Sequence, residues 1–273
     1  MTSSRPVQRV AIAGLGAIGK AIARELDRGG IDGMVLTAVA SADPAKHRGF
    51  LQSLHTPPRV RTAERLWEDA DLVIEAAPSR LLRAIVEPFV SRGKSAIVLS
   101  AAALLDAADL IDIAKAHGGQ IIVPTGALIG LDAVSAAAVG TIHSVRMITR
   151  KPVDGFRGAP FVIDNGIDLD RVDAPLKLFE GTAREAGKGF PANLNVAVAL
   201  SLAGIGPDRT IVEIWADPGV TRNTHRIEVD ADSARFSMTI ENVPSENPKT
   251  GIITALSAIA LLRKTNAAMR IGT

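Results

Sequence analysis

The sequence predicts an α/β fold in two parts: a parallel, doubly wound sheet, then a second α+β domain with a mainly antiparallel sheet. Three observations carry this. Over residues 1–123, short apolar runs alternate with helical patterns, as strands and crossover helices do. Those runs are apolar at successive positions, as strands covered on both faces require. After Pro124 the strand-like runs follow one another across short turns.

Val7–Ala13 reads as the first strand and Ala17–Arg28 as the first helix, stopped by Gly29-Gly30. Met34–Ala40, Asp71–Glu75, Ser95–Leu99 and Gln120–Val123 are further strands, with helical stretches around Glu64–Asp69, Ser79–Ser91 and Leu104–Ala116 between them. Beyond Pro124, Leu128–Val139 is helical, His143–Thr149 is a strand, and Ala174–Ala186 and Pro191–Ala203 are helical. Three strands follow, Thr210–Ala216, Thr224–Val229 and Ala234–Glu241, parted by turns at Asp217-Pro218-Gly219 and Asp230–Ser233. Gly251–Lys264 is a last amphipathic helix. The expected domains are 1–123, joined by the C-terminal helix in 247–273, and 124–246.

Composition narrows the chemistry. The 273 residues hold no cysteine and no tyrosine, which excludes disulfides, thiolate metal sites, a cysteine nucleophile and a tyrosyl acid. Lysine plus arginine number 31 against 29 acids, so the pI of 9.1 reflects scarce groups titrating between histidine and lysine. The cations are scattered, giving no case for nucleic acid or a membrane surface. Arg5, Arg9 and the run Val10–Gly19 mimic a signal peptide, but Lys20 and three glycines interrupt it. Gly189–Pro207 is long enough to span a bilayer, yet contains Pro191, Asn193, Asn195, Gly204 and Gly206, which suits a buried or cleft-lining helix. The expectation is a soluble, cytoplasmic protein.

Gly14-Leu15-Gly16-Ala17-Ile18-Gly19 is a G-x-G-x-x-G turn placed between a strand and a helix. In that context it marks a Rossmann dinucleotide site. The first glycine allows the tight turn, the second lets backbone approach a pyrophosphate, and the third lets helix pack on strand. Gly14, Gly16, Ala17, Ile18 and Gly19 are therefore candidate cofactor contacts. The acid expected at the end of the second strand is displaced to Asp43, and Lys46 and Arg48 lie close by, so a 2′-phosphate is tolerable and the cofactor is NAD or NADP. Two strand ends rich in small residues, Ala76-Ala77-Pro78 and Ser100-Ala101-Ala102, suit backbone passing beside a nicotinamide ribose or plain loop packing.

Five histidines exist: His47, His55, His117, His143 and His225. Period two places His225 with Ile227 and Val229 on the apolar side of its strand, as a core residue or a catalytic one. Neither His-x-x-x-His nor a carboxylate–histidine cluster appears, so no metal is expected. Asn193 suits a helix cap; Asn195, two residues further into an apolar helix, could instead bond a nicotinamide.

The sequence resembles the L-aspartate dehydrogenase family. The glycine turn, Pro124-Thr125-Gly126-Ala127-Leu128-Ile129-Gly130-Leu131-Asp132-Ala133, Leu178–Ala186, Phe190–Ala197, Leu200–Gly204 through Thr210, Ala216-Asp217-Pro218, Asn223-Thr224-His225 and Asn247-Pro248-Lys249-Thr250 carry the likeness. It implies an NAD(P)-dependent homodimer interconverting L-aspartate with oxaloacetate and ammonia through iminosuccinate, which in some organisms feeds NAD biosynthesis. It also implies catalysis by His225 and cofactor contacts at Ala127 and Asn195. Leu128-Ile129-Gly130 and Ser100–Ala103 depart from the family pattern, the first where the substrate pocket is expected. Two alternatives stand beside this: a reductase of another imine or amino acid on the same fold, and a non-catalytic dinucleotide sensor.

Overall fold

A computed structural model describes residues 6–191, 194–245 and 251–272. The chain divides into two compact units, one built from the chain up to Pro124 together with Ala255–Ile271, the other mainly from Thr125–Thr254.

The first unit is a six-stranded parallel sheet. Its strands are β1 (Gln8–Ala13), β2 (Met34–Ala40), β3 (Arg59–Val60), β4 (Leu72–Glu75), β5 (Ser95–Val98) and β6 (Gln120–Ile122), in the spatial order β3-β2-β1-β4-β5-β6. The order reverses between β1 and β4, where Ala13 lies beside Glu75. Alternation along β1 explains the two layers. Val10 and Ile12 point into a core with Ile22 and Leu26 of α1 (Ala17–Asp27) and Ala258, Ile259 and Leu262 of the C-terminal helix α9 (Ile252–Asn266). Ala11 and Ala13 face Ile85 and Phe89 of α3 (Leu82–Val90) and Leu110 of α4 (Asp109–His117). Between β2 and β3 the chain forms a 3₁₀ turn and the short helix α2 (Arg48–Gln52). Helix α9 is also tied by Arg263, which donates to Gly30 O at 3.0 Å and pairs with Glu25.

The second unit holds a five-stranded sheet of β7 (Ile142–Lys151), β8 (Leu176–Thr182), β9 (Thr210–Ala216), β10 (Asn223–Ala231) and β11 (Arg235–Asn242), ordered β11-β10-β7-β9-β8. Every pairing is antiparallel except β7 with β9. The helices are α5 (Leu131–Ala137), α6 (Pro160–Asp164), α7 (Ala183–Gly189) and α8 (Asn195–Ala203). Sequence reasoning departs from this in three places. The expected helix over 174–186 is strand β8 as far as Thr182. The reason lies in Thr182 and Glu185, which form a capping box that starts α7 only at Ala183. The last three strands are not a simple meander, because β7 inserts between β9 and β10. The helix expected over 128–139 begins at Leu131, after Gly130 in a left-handed conformation. Among the described residues, no helix is long and apolar enough to cross a membrane.

Candidate functional site

The glycine turn is built as its spacing requires. Gly14 sits at φ +102°, and a Cβ there would collide with the carbonyl of Ala76, the first residue after β4. A side chain at Gly19 would collide with the Gly14 carbonyl. Gly16, the residue preceding α1, has nothing within 4 Å of where a Cβ would stand. No side chain caps that helix, and its first turn carries no acid. Unpaired amides at the positive end of an eleven-residue helix, with open space before them, fit a pyrophosphate.

Beside the turn, the strand-end loops are joined by one carboxylate. Glu75 is fully buried and accepts from Ala77 N (3.2 Å), Leu99 N (3.2 Å), Ser100 N (3.0 Å) and Ser100 Oγ (2.8 Å). Burial pushes its proton affinity up, opposed by those donors. The two loops singled out for their small residues are thus fixed by an acid whose role sequence reasoning missed. At the end of β2, Asp43 is exposed and its carboxylate receives Lys46 N at 3.2 Å, while Lys46 and Arg48 are exposed.

In the second unit, His225 on β10 is 3% exposed, the one buried histidine among the described residues. Its Nδ1 is 3.2 Å from Thr149 Oγ1. Thr149 on β7 stands directly opposite in the register, so the sheet itself orients the ring. Two residues further along β7, and so on the same face, Lys151 is also buried. Burial pushes the His225 imidazole down to about 3, with the Lys151 charge as second cause. Burial alone lowers the Lys151 ammonium to about 8. Burial thus disfavours the charged imidazole in the free chain.

The same sheet reaches Ala127. Asn223, two residues before His225, pairs with Asn242 of β11. Asn242 donates through Nδ2 to Ala127 O at 3.0 Å, while its buried Oδ1 makes no hydrogen bond. Ala127 lies in a turn closed by Leu128 N to Thr125 O (3.1 Å), with Gly126 at φ +62°. Asn195 is exposed at the first position of α8; Asn193 and the 247–250 motif fall outside the described residues. The other histidines stand apart. His55 bonds Asp27 and His117 bonds Ile113 O, each at 2.9 Å, and His143 is exposed. His47 Nδ1 is buried without a hydrogen bond, and burial followed by the Lys20 charge lowers its pKa. No group of metal ligands occurs among the described residues. Thr149, Lys151 and Asn242 were not found from sequence. Period two along β7 puts Thr149 and Lys151 on one face, but only cross-strand register shows that this is the face of His225.

Residues 132–265 match the family model for the C-terminal part of aspartate dehydrogenase, and residues 14–124 match the NAD-binding domain of homoserine dehydrogenase. The chain is 69% identical to the L-aspartate dehydrogenase of Bradyrhizobium diazoefficiens, over 97% of this chain and 94% of that one. It is 56% identical to L-aspartate dehydrogenase 3 of Bordetella bronchiseptica, over 99% and 100%. The crystal structure of aspartate dehydrogenase from Thermotoga maritima superposes with a TM-score of 0.73 at 22% identity, covering 97% of this chain and 99% of that one.

Proposed function

The chain belongs to the aspartate dehydrogenase family, whose members are NAD(P)-dependent oxidoreductases, and we propose that it deaminates L-aspartate oxidatively with His225 as its acid–base group. One observation carries the residue assignment: a buried imidazole, held by Thr149 through Nδ1, within the sheet of the second unit. Gly14, Gly16, Ala17, Ile18 and Gly19 hold the dinucleotide's phosphates at the start of α1, and Ala127 and Asn195 contact the cofactor. Support for the first group is the open, uncapped helix start; Ala127 is supported by the family likeness and its anchoring by Asn242.

When bound, the oxidised nicotinamide takes up the hydride that leaves Cα. The chain's own residues manage protons. The substrate ammonium must lose a proton before Cα can give up hydride, and a neutral imidazole can receive it. Iminosuccinate results. The imidazolium gives that proton to solvent; water then adds to the imine carbon, the freed imidazole taking its proton and returning it to the departing nitrogen, and the carbinol hydroxyl loses its proton as the carbonyl forms and the nitrogen leaves as ammonium. Over the cycle, L-aspartate, oxidised cofactor and water become oxaloacetate, ammonium and reduced cofactor, with one proton released. Iminosuccinate drawn off before hydrolysis could supply pyridine-nucleotide biosynthesis.

Asp43 is engaged at the start of the following 3₁₀ turn instead of standing ready for a ribose hydroxyl, and Lys46 and Arg48 are exposed nearby. These features support acceptance of NADP as well as NAD. The proposed assembly is a homodimer working in the cytoplasm, on the family likeness; sedimentation at twice 28.6 kDa tests the first. The decisive assay is the near-ultraviolet absorbance of reduced nicotinamide when L-aspartate is mixed with each oxidised cofactor. Its appearance with L-aspartate, and with no other common amino acid at comparable rate, is the expected result. Cofactor binding without turnover would instead leave a dinucleotide sensor.

A further inference from the structure

Asn242, the last residue of β11, is 3% exposed. Its amide is oriented by chemistry. Ala127 O can only accept, so Nδ2 faces it at 3.0 Å and Oδ1 is turned the other way. Among the described residues, Oδ1 is the one buried side-chain oxygen without a hydrogen bond. Gly251, bridged to Pro244, leaves room beside it: a Cβ there would lie 3.4 Å from Oδ1 and 3.2 Å from the Asn242 Cβ. Register places the residue. Asn242 stands opposite Asn223, and Ile240 opposite His225. Asn242 therefore lies on the imidazole's side of the sheet, as its diagonal neighbour. An unmet buried acceptor costs stability, and folded chains keep such breaches of the packing rules at functional sites.

We propose that Asn242 is a cofactor-binding residue, its Oδ1 accepting a hydrogen bond from the carboxamide NH2 of the nicotinamide. The proposal rests on the aspartate dehydrogenase reading above. Ala127, whose carbonyl Asn242 holds, is the residue that the family likeness sets against the cofactor. The placement of His225 points to the same end of that cofactor. The imidazole serves the amine on the carbon that gives up hydride, and the carboxamide hangs from the ring carbon next to the one that receives it. A neutral oxygen in a buried place also suits a neutral amide better than an ammonium, which would bring a full charge out of water. Tied at Nδ2, the side chain cannot turn over, so its oxygen fixes the rotation of the carboxamide and, with it, the ring. A carboxamide offers two N–H groups and one oxygen, which leaves Asn195 a contact of its own.

The probe is acetylpyridine adenine dinucleotide, which carries a methyl group where NAD carries the amide NH2. Calorimetry without substrate gives the Kd of each oxidised dinucleotide for the wild type, Asn242→Leu and Asn242→Asp. The wild type should bind NAD at least about fivefold more tightly than the analogue. Asn242→Leu keeps the volume and removes the oxygen, and should bring the two constants together, chiefly by weakening NAD. Asn242→Asp keeps an acceptor oxygen and should keep the wild-type ratio, even where loss of the Ala127 tie weakens both ligands. Equal constants in the wild type, a wild-type ratio in Asn242→Leu, or a ratio lost in Asn242→Asp as fully as in Asn242→Leu overturns the proposal. A second arm reads, with reduced cofactor present, the rise in Tm caused by L-aspartate and by succinate, which lacks the amine. If Asn242→Leu abolishes the advantage of L-aspartate and spares the dinucleotide ratio, the oxygen serves the substrate's amine and the proposal falls. If Asn242→Leu does not fold, Asn242→Ala replaces it on the same criteria; collapse of all three variants assigns the residue to the fold and overturns the proposal too. A wild-type protein that binds neither dinucleotide fails the underlying reading instead, whatever the variants do.

Discussion

The two sheets treat buried polarity in opposite ways. In the parallel sheet both faces are apolar, and the buried acid, Glu75, stands at a strand's end with four donors around it. In the mixed sheet, buried polar groups lie within the strands themselves: Thr149 and His225 share a single hydrogen bond, with Lys151 one step along. A carboxylate gripped by four donors is a fastening. An imidazole held at one nitrogen keeps the other for proton transfer. The first unit is arranged to bind through backbone, the second to act through side chains.

The sharpest way to break the comparison is His225→Ala. Removing the acid–base group should lower kcat by about two to four orders of magnitude while leaving circular dichroism and cofactor titration unchanged; an unaltered turnover number would move proton transfer elsewhere. In the first unit, Gly14→Ala should act in the reverse sense. Its positive φ and the clash with Ala76 displace the turn, so the cofactor Kd should rise at least about tenfold, at a backbone cost of about 1–2 kcal/mol before the clash is counted, and kcat at saturating cofactor should fall less than the Kd rises. Titration separates the units further. The His225 pKa is depressed from 6.5 to about 3 in the folded chain, so the unfolded chain takes up the proton first. Stability is full above about pH 6.5 and is lost as pH falls toward 3, by about 3 kcal/mol at pH 4 from this group. His225→Asn should flatten that part of the Tm–pH curve; an identical acid limb in both proteins would place the loss elsewhere. The smallest effect concerns the cofactor. Michaelis constants for NAD and NADP should agree within about tenfold, and a strong preference for NAD would remove the part given to Lys46 and Arg48.

Legibility in the sequence followed the same divide. Strand ends and glycine turns are local events, and β2 and the G-x-G-x-x-G turn lie where residue pattern puts them. Residues 176–182 misled because Leu176, Leu178 and Phe179 suit either period over so short a run; the Thr182–Glu185 capping box was the available signal. His225 was singled out by its apolar neighbours and the family motif. Its partners were hidden because Thr149 lies 76 residues away in sequence and meets the ring only through the β7–β10 register. Asn242 is as distant from Ala127, 115 residues on. No spacing rule reaches that far.

Helix α9 supplies Ala258, Ile259 and Leu262 to the same core as Val10, Ile12 and Ile22. The N-terminal layer is thus completed by a segment made only after the whole intervening unit. Until then one side of its sheet stays greasy and open, so the nascent chain must shield it through synthesis of the whole intervening unit. A stop codon shortly before Ala255 would remove no residue of the imidazole's sheet, yet would ruin the layer made first.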